Sequence, residues 1–103
     1  RNDDMMNAGG YRVSPLEVEA ALLAAPEAQN LTALAVCDVE IKQDARIIAA
    51  FYTSEAKVDE AVLEAQAKDR LAAYKRPKLY RRIDAMPLGP NNKLRRAALK
   101  DFL

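Results

Sequence analysis

Near the end of the chain stands "LGPNNKLRR", Leu88 to Arg96. Gly89, Pro90, Asn91 and Asn92 spell a turn. Lys93, Arg95 and Arg96 follow at the expected start of a last short helix, where the macrodipole is mildly unfavourable to cations. Either this is a solvated basic turn on a mobile loop, or an anion visits it. A lysine there is a compact point charge that can reach phosphate or carboxylate oxygens. A second group is "YKRPK", Tyr74 to Lys78, where a rigid proline holds three cations beside an aromatic ring. Cations suit phosphate and a ring face suits a nucleobase, but a solvated helix C-terminus explains the same residues. A third is Gly9-Gly10 followed by Tyr11 and Arg12. Glycines admit a ligand or another backbone closely, and they also make a tight hairpin turn. Taken singly, each group is better explained by plain structure.

The rest of the composition narrows the chemistry. The chain has 103 residues, half of them apolar, which suits one modest domain. There is no histidine, so imidazole catalysis and histidine-ligated metals are excluded. Cys37 is the only cysteine and sits in an apolar run, so it reads as a buried structural thiol. A net charge of +1 supplies no global field for nucleic acid. No apolar stretch approaches the roughly 18 residues of a membrane span and no signal peptide is evident, so a cytoplasmic protein is expected.

The elements that must position these groups are well marked. "DDMMN" and "YRVS" flank the glycines as a β-hairpin. "SPLEVEAALLAAP" is a helix with Ser14 as N-cap, Pro15 at the first helical position and Glu17 completing a capping box. Val13 and Val18 form a staple, and Val18, Ala21, Leu22 and Ala25 share the buried face. "LTALAVCDV" and "ARIIAAFYT" predict an antiparallel pair joined by "EIKQD". A second helix is expected from about Val58 to Ala73, with Leu63, Ala67, Leu71 and Tyr74 as its seam. "KLYRRID" reads as a short third strand and "KLRRAALKDFL" as a terminal helix. The expected fold is α+β: a small sheet with an N-terminal β-hairpin, flanked by about three helices. The abrupt charged start, "RNDD", reads as a cut at a domain boundary.

"RNDDMMNAGGYRVSPLEVEAAL" resembles the hinge motif of the adenylate-forming enzymes: acyl-CoA synthetases, aryl-CoA ligases, luciferases and peptide-synthetase adenylation domains. The match falls at Arg1, Asp3, Asp4, Gly10, Arg12, Val13, Pro15, Glu17, Val18 and Glu19. "LAAYKRPK" is similar to a second family signature and "MPLGPNNKLRRAAL" to a third, in the family's order. Together they cover essentially all of residues 1–103, which would then be a single C-terminal lid domain without the large N-terminal ATP- and acyl-binding domain. One departure stands out: the family usually has glycine before the lysine, and this chain has Asn91-Asn92-Lys93. It hints at a subfamily for aromatic, benzoate-type acids.

The resemblance implies two half-reactions. A carboxylate attacks ATP to give acyl-AMP and pyrophosphate, with Mg²⁺ bound mainly by ATP and the missing domain. A thiol, CoA, then takes the acyl group. Lys93 would be the catalytic residue of the first step and an ATP/AMP contact; Arg1 would be another nucleotide contact and Asp3 the hinge. Gly9, Gly10, Tyr11, Arg12, Tyr74, Arg76 and Lys78 would bind CoA. Arg95 and Arg96 would help anchor the lysine loop, and Glu17 and Glu19 are read as helix capping and surface charge. The partners implied are the enzyme's own N-terminal domain, a small carboxylic acid and CoA. Delivery to a carrier protein is the alternative acceptor. A small nucleic-acid-binding module is the alternative class, opposed by the near-zero net charge.

Overall fold

The computed structural model describes residues 5–43 and 45–103. Strands β1 (Met6–Ala8) and β2 (Tyr11–Val13) form an antiparallel hairpin whose loop is Gly9-Gly10. Both glycines have positive φ, +59° and +86°, the twist that a two-residue hairpin loop requires. Helix α1 (Pro15–Leu23) follows, then a 3₁₀ turn at Pro26–Asn30. β3 (Ala33–Lys42) and β4 (Ala45–Thr53) pair antiparallel, with a bulge between Glu40 and Lys42. α2 (Glu60–Arg70) then crosses over, so that β5 (Leu79–Arg82) pairs parallel to β4 in a sheet of order β3-β4-β5. The α+β expectation is met.

β3 and β4 read as unbroken apolar runs because both faces of the sheet are covered. Met6, Ala8 and Val13 of the hairpin, Val18 and Leu22 of α1, and Leu63, Ala67 and Leu71 pack with Val36, Ile48, Ala50 and Tyr52 on one face. The alternate residues Ala35, Cys37, Val39, Ala49 and Phe51 face the other way and are covered by Ile83, Met86, Leu94 and Leu99. This two-faced packing decides the geometry of the site.

Four details differ from the sequence expectation. Ser14 takes the extended N-cap backbone but makes no side-chain cap bond; Glu17 reaches Lys75 at 2.8 Å instead of closing a capping box. α2 is shorter than expected, because Asp59 accepts from the Ala61 N–H to start it and Leu71 turns extended to end it. Tyr74 therefore lies outside the helix, in a 3₁₀ turn (Ala73–Lys75), and is 41% exposed. The terminal helix is 3₁₀ and spans Arg96–Phe102, leaving Lys93 extended ahead of it.

Cys37 is 5% exposed, and burial first, then the neighbouring Asp38 carboxylate, pushes its thiol up to about 11. At pH 8 only about one thiol in a thousand is then ionised, against roughly a quarter for a free cysteine. The folded domain should resist an aromatic disulfide reagent while the urea-unfolded chain reacts fully. A fast stoichiometric reaction of the folded form would refute the buried placement.

Candidate functional site

The Lys93 loop is closed by backbone bonds, not loose as its asparagines suggest. Gly89 N–H donates to the Lys93 carbonyl at 2.7 Å, and Arg95 N–H donates to the Pro87 carbonyl at 2.8 Å. Leu88 and Leu94 form an isolated antiparallel bridge beside them. These bonds hold Lys93 extended and prevent a helix from starting there. Asn91 and Asn92 take left-handed backbone, φ 62° and 59°, which asparagine tolerates better than most residues. The backbone at position 92 is thus one that glycine and asparagine both tolerate. Lys93 is exposed, and its ammonium has no partner among the described residues. The loop is seated through Leu94 and Met86 on the second face of the sheet.

The opposite layer gathers the other candidates. Gly9 and Tyr11 of the hairpin, Ile48 of β4, and Tyr74, Arg76 and Lys78 line one depression of about 320 Å³. Tyr11 stacks on Tyr74 with ring centroids 4.2 Å apart. The Lys75 ammonium stands 5.7 Å from the Tyr74 centroid, and its hydrogen bond to Glu17 raises its pKa. The 3₁₀ turn after α2 is thus tied to the hairpin by the aromatic pair and, through Lys75, to α1. A Cβ on Gly9 or Gly10 would meet nothing within 4 Å among the described residues. Lys78 is held by its backbone N–H to the Ile48 carbonyl at 2.8 Å and keeps an exposed side chain.

Arg76 is partly committed. Its Nε donates to the Leu71 carbonyl at 2.9 Å and its Nη2 to the Lys68 carbonyl at 3.1 Å, satisfying carbonyls that the end of α2 leaves open. Arg12 is exposed and does not line this depression. Arg1 and Asp3 lie outside the described residues.

Sequence reading missed two residues. Arg46 lines the depression while pairing with Asp38 at 3.0 Å; its place at the mouth of the β3–β4 hairpin was the available signal. Glu19 is no solvated surface charge: its side chain is 12% exposed, it accepts from the Val36 N–H at 3.0 Å, and it pairs with Arg96. Arg96 also donates to the Val36 carbonyl at 2.9 Å, which ties the segment just after Lys93 to β3. Among the described residues, no group of three or more acidic, cysteine or histidine side chains could hold a metal ion. Nor is any helix there long and apolar enough to cross a membrane.

No family model matches the chain. It is 36% identical over 99 residues to 2-succinylbenzoate–CoA ligase of Bacillus licheniformis, covering 96% of this chain and 20% of that enzyme. It is 32% identical over 99 residues to surfactin synthase subunit 2 of Bacillus subtilis, covering 96% of this chain and 3% of that protein. The o-succinylbenzoate CoA synthetase of Bacillus subtilis, solved with its acyl-adenylate intermediate, superposes with a TM-score of 0.83 at 33% identity, covering 98% of this chain and 20% of that one. This chain belongs to the adenylate-forming family. It has the fold of the C-terminal domain of AMP-binding enzymes. A fatty acyl CoA synthetase of Mycobacterium tuberculosis matches equally well, with a TM-score of 0.83 over 99% of this chain and 20% of that one. The chain spans about a fifth of the length of the ligases it matches.

Proposed function

We propose that residues 1–103 act as the mobile C-terminal lid of an ATP-dependent acyl- or aryl-CoA ligase. The carrying observation is that the two candidate groups sit on opposite layers: the Lys93 loop is seated on one face of the sheet, and the glycine hairpin with Tyr74 and Lys78 on the other. One rigid pose cannot present both layers to a single cleft, so a two-step reaction would use two poses. In the first, the Lys93 ammonium lies between the acid's carboxylate and the α-phosphate of ATP. It offsets their repulsion and stabilises the charge that builds at phosphorus, and acyl-AMP and pyrophosphate form. In the second, the hairpin arrives, the CoA thiol attacks the acyl carbon and AMP leaves. Gly9 and Gly10 form a wall of the pantetheine passage; their freedom from internal contacts leaves that space for something outside the domain. Tyr11 and Tyr74 face the adenine, and Lys78, Arg12 and the Nη1 edge of Arg76 face the phosphates. Asp3 is the hinge and Arg1 a nucleotide contact. Mg²⁺ belongs with ATP and the larger domain, a reading supported by the o-succinylbenzoate CoA synthetase structure that holds ATP and magnesium ion.

A benzoate-type acid is supported by the relatives named for 2-succinylbenzoate. The cytoplasm is the compartment proposed. The peptide-synthetase relatives favour a second acceptor, a carrier-protein thiol. The acceptor test is Lys78→Ala in the complete enzyme. Losing one charge-assisted phosphate contact should raise the KM for CoA about tenfold and leave that for ATP unchanged. Equal change in both, or none, would refute the phosphate contact. Carboxylate-dependent exchange of pyrophosphate into ATP, followed by thioester formation with CoA, tests the activity itself; no exchange with any carboxylic acid would sink it.

A further inference from the structure

We propose that Glu19 is a positioning residue for adenylation, acting through Arg96 on the loop that carries Lys93. This rests on the reading of Lys93 given above. β3 is an edge strand of its sheet, and both peptide groups of Val36 are taken up by side chains on its open side. Glu19 accepts from the Val36 N–H at 3.0 Å, and Arg96 donates to the Val36 carbonyl at 2.9 Å. The same Arg96 Nη1 donates to the Glu19 carboxylate, so the two side chains close a ring with the peptide backbone. The ring wraps the edge of the sheet: Glu19 comes from α1, packed on one face, and Arg96 begins the terminal 3₁₀ helix, packed on the other. Side-chain exposures of 12% and 17% shield the pair from solvent screening.

Arg96 is only three residues after Lys93, and the segment between has little freedom. Leu94 is bridged to Leu88, and the Arg95 N–H is bonded to Pro87. A shift of Arg96 therefore passes directly to the lysine. Among the described residues Arg96 Nε is buried with no partner, and the guanidinium is oriented there by Glu19 and Val36, at the cost of an unsatisfied donor. An arrangement that tolerates that cost is better explained by placement than by stability. The ring also joins the helix of the hinge motif to the lysine loop, two segments far apart in the chain.

The test uses the complete enzyme. Glu19→Gln keeps the shape and an acceptor for Val36 but removes the charge that holds Arg96. We expect adenylate formation to slow about 10- to 30-fold with the KM for ATP unchanged, because roughly ångström misplacement of a catalytic group costs up to about 100-fold. Thioester formation from supplied acyl-AMP should stay within about twofold, since the lysine is absent from that step. Arg96→Met should act in the same direction and Arg96→Lys should recover part of the loss. On a Lys93→Ala background, Glu19→Gln should cost adenylation nothing further, because the residue through which it acts is gone. The inference is overturned if both half-reactions fall together with the thermal midpoint, if Glu19→Gln behaves as wild type, or if it still slows adenylation without Lys93. Lys93→Ala in the same assays separates the two readings: selective loss there with no selectivity at Glu19 rejects only the coupling, and intact adenylation there rejects both.

Discussion

Lys93→Ala in the complete enzyme should lower the rate of adenylate formation by about 100- to 1,000-fold, the range for removing one preorganised charge-stabilising group. Thioester formation from supplied acyl-AMP should change by no more than a few-fold. The sign follows from where the charge develops. Carboxylate and triphosphate repel as they approach, and an ammonium held between them would be worth most in the crowded transition state, where negative charge gathers on the phosphoryl oxygens. In the thiol step no such pair meets, and the loop lies on the layer turned away from the hairpin. Lys93 is exposed and has no partner among the described residues, so its removal should not disturb the fold. The measurements are single-turnover pyrophosphate release and, separately, acyl transfer to CoA. Equal loss in both would remove Lys93 from its assigned role.

Gly10→Leu should do the reverse, slowing acyl transfer to CoA on the order of 100-fold while adenylation stays within a few-fold. A Cβ at this position meets nothing within 4 Å among the described residues, so the root of the side chain is open and the obstruction is expected from outside the domain. The positive φ of 86° does impose strain, about 1–2 kcal/mol for a residue with a Cβ. Gly10→Ala carries that strain with little bulk and serves as the control. Leucine much worse than alanine locates a crowded passage at the hairpin tip. The two variants losing thioesterification alike would make strain the cause, and normal transfer in the leucine variant would reject the passage altogether.

How far each part could be read from residue order depends on the range of the interactions that fix it. The glycine hairpin, the paired apolar strands and the two longer helices rest on local rules: positive φ at a two-residue turn, side-chain alternation, helical spacing. Those rules named Gly9-Gly10, β3 and β4 correctly. They failed where a distant partner competed. Tyr74 was placed on the seam of α2 by spacing, yet Tyr11, 63 positions earlier, supplies a stacking face outside the helix. Glu17 satisfies the pattern of a capping box, yet Lys75 offers it a full charge. "KLRRAALK" has a helical composition, but the bonds from Gly89 to Lys93 and from Arg95 to Pro87 claim the backbone that its first turn would need.

Residue types and spacing determined that this chain carries three basic or glycine-rich groups in an ordered set; the resemblance to the adenylate-forming enzymes singled out Lys93 and the paired glycines as the ones to test. Only the tertiary structure decided that they lie on opposite layers of one sheet, and that Glu19 and Arg96 clamp the edge between them. The reason is that strand alternation sets which residues are apolar, but the face each segment covers depends on contacts between residues tens of positions apart. Local pattern carries no record of such contacts.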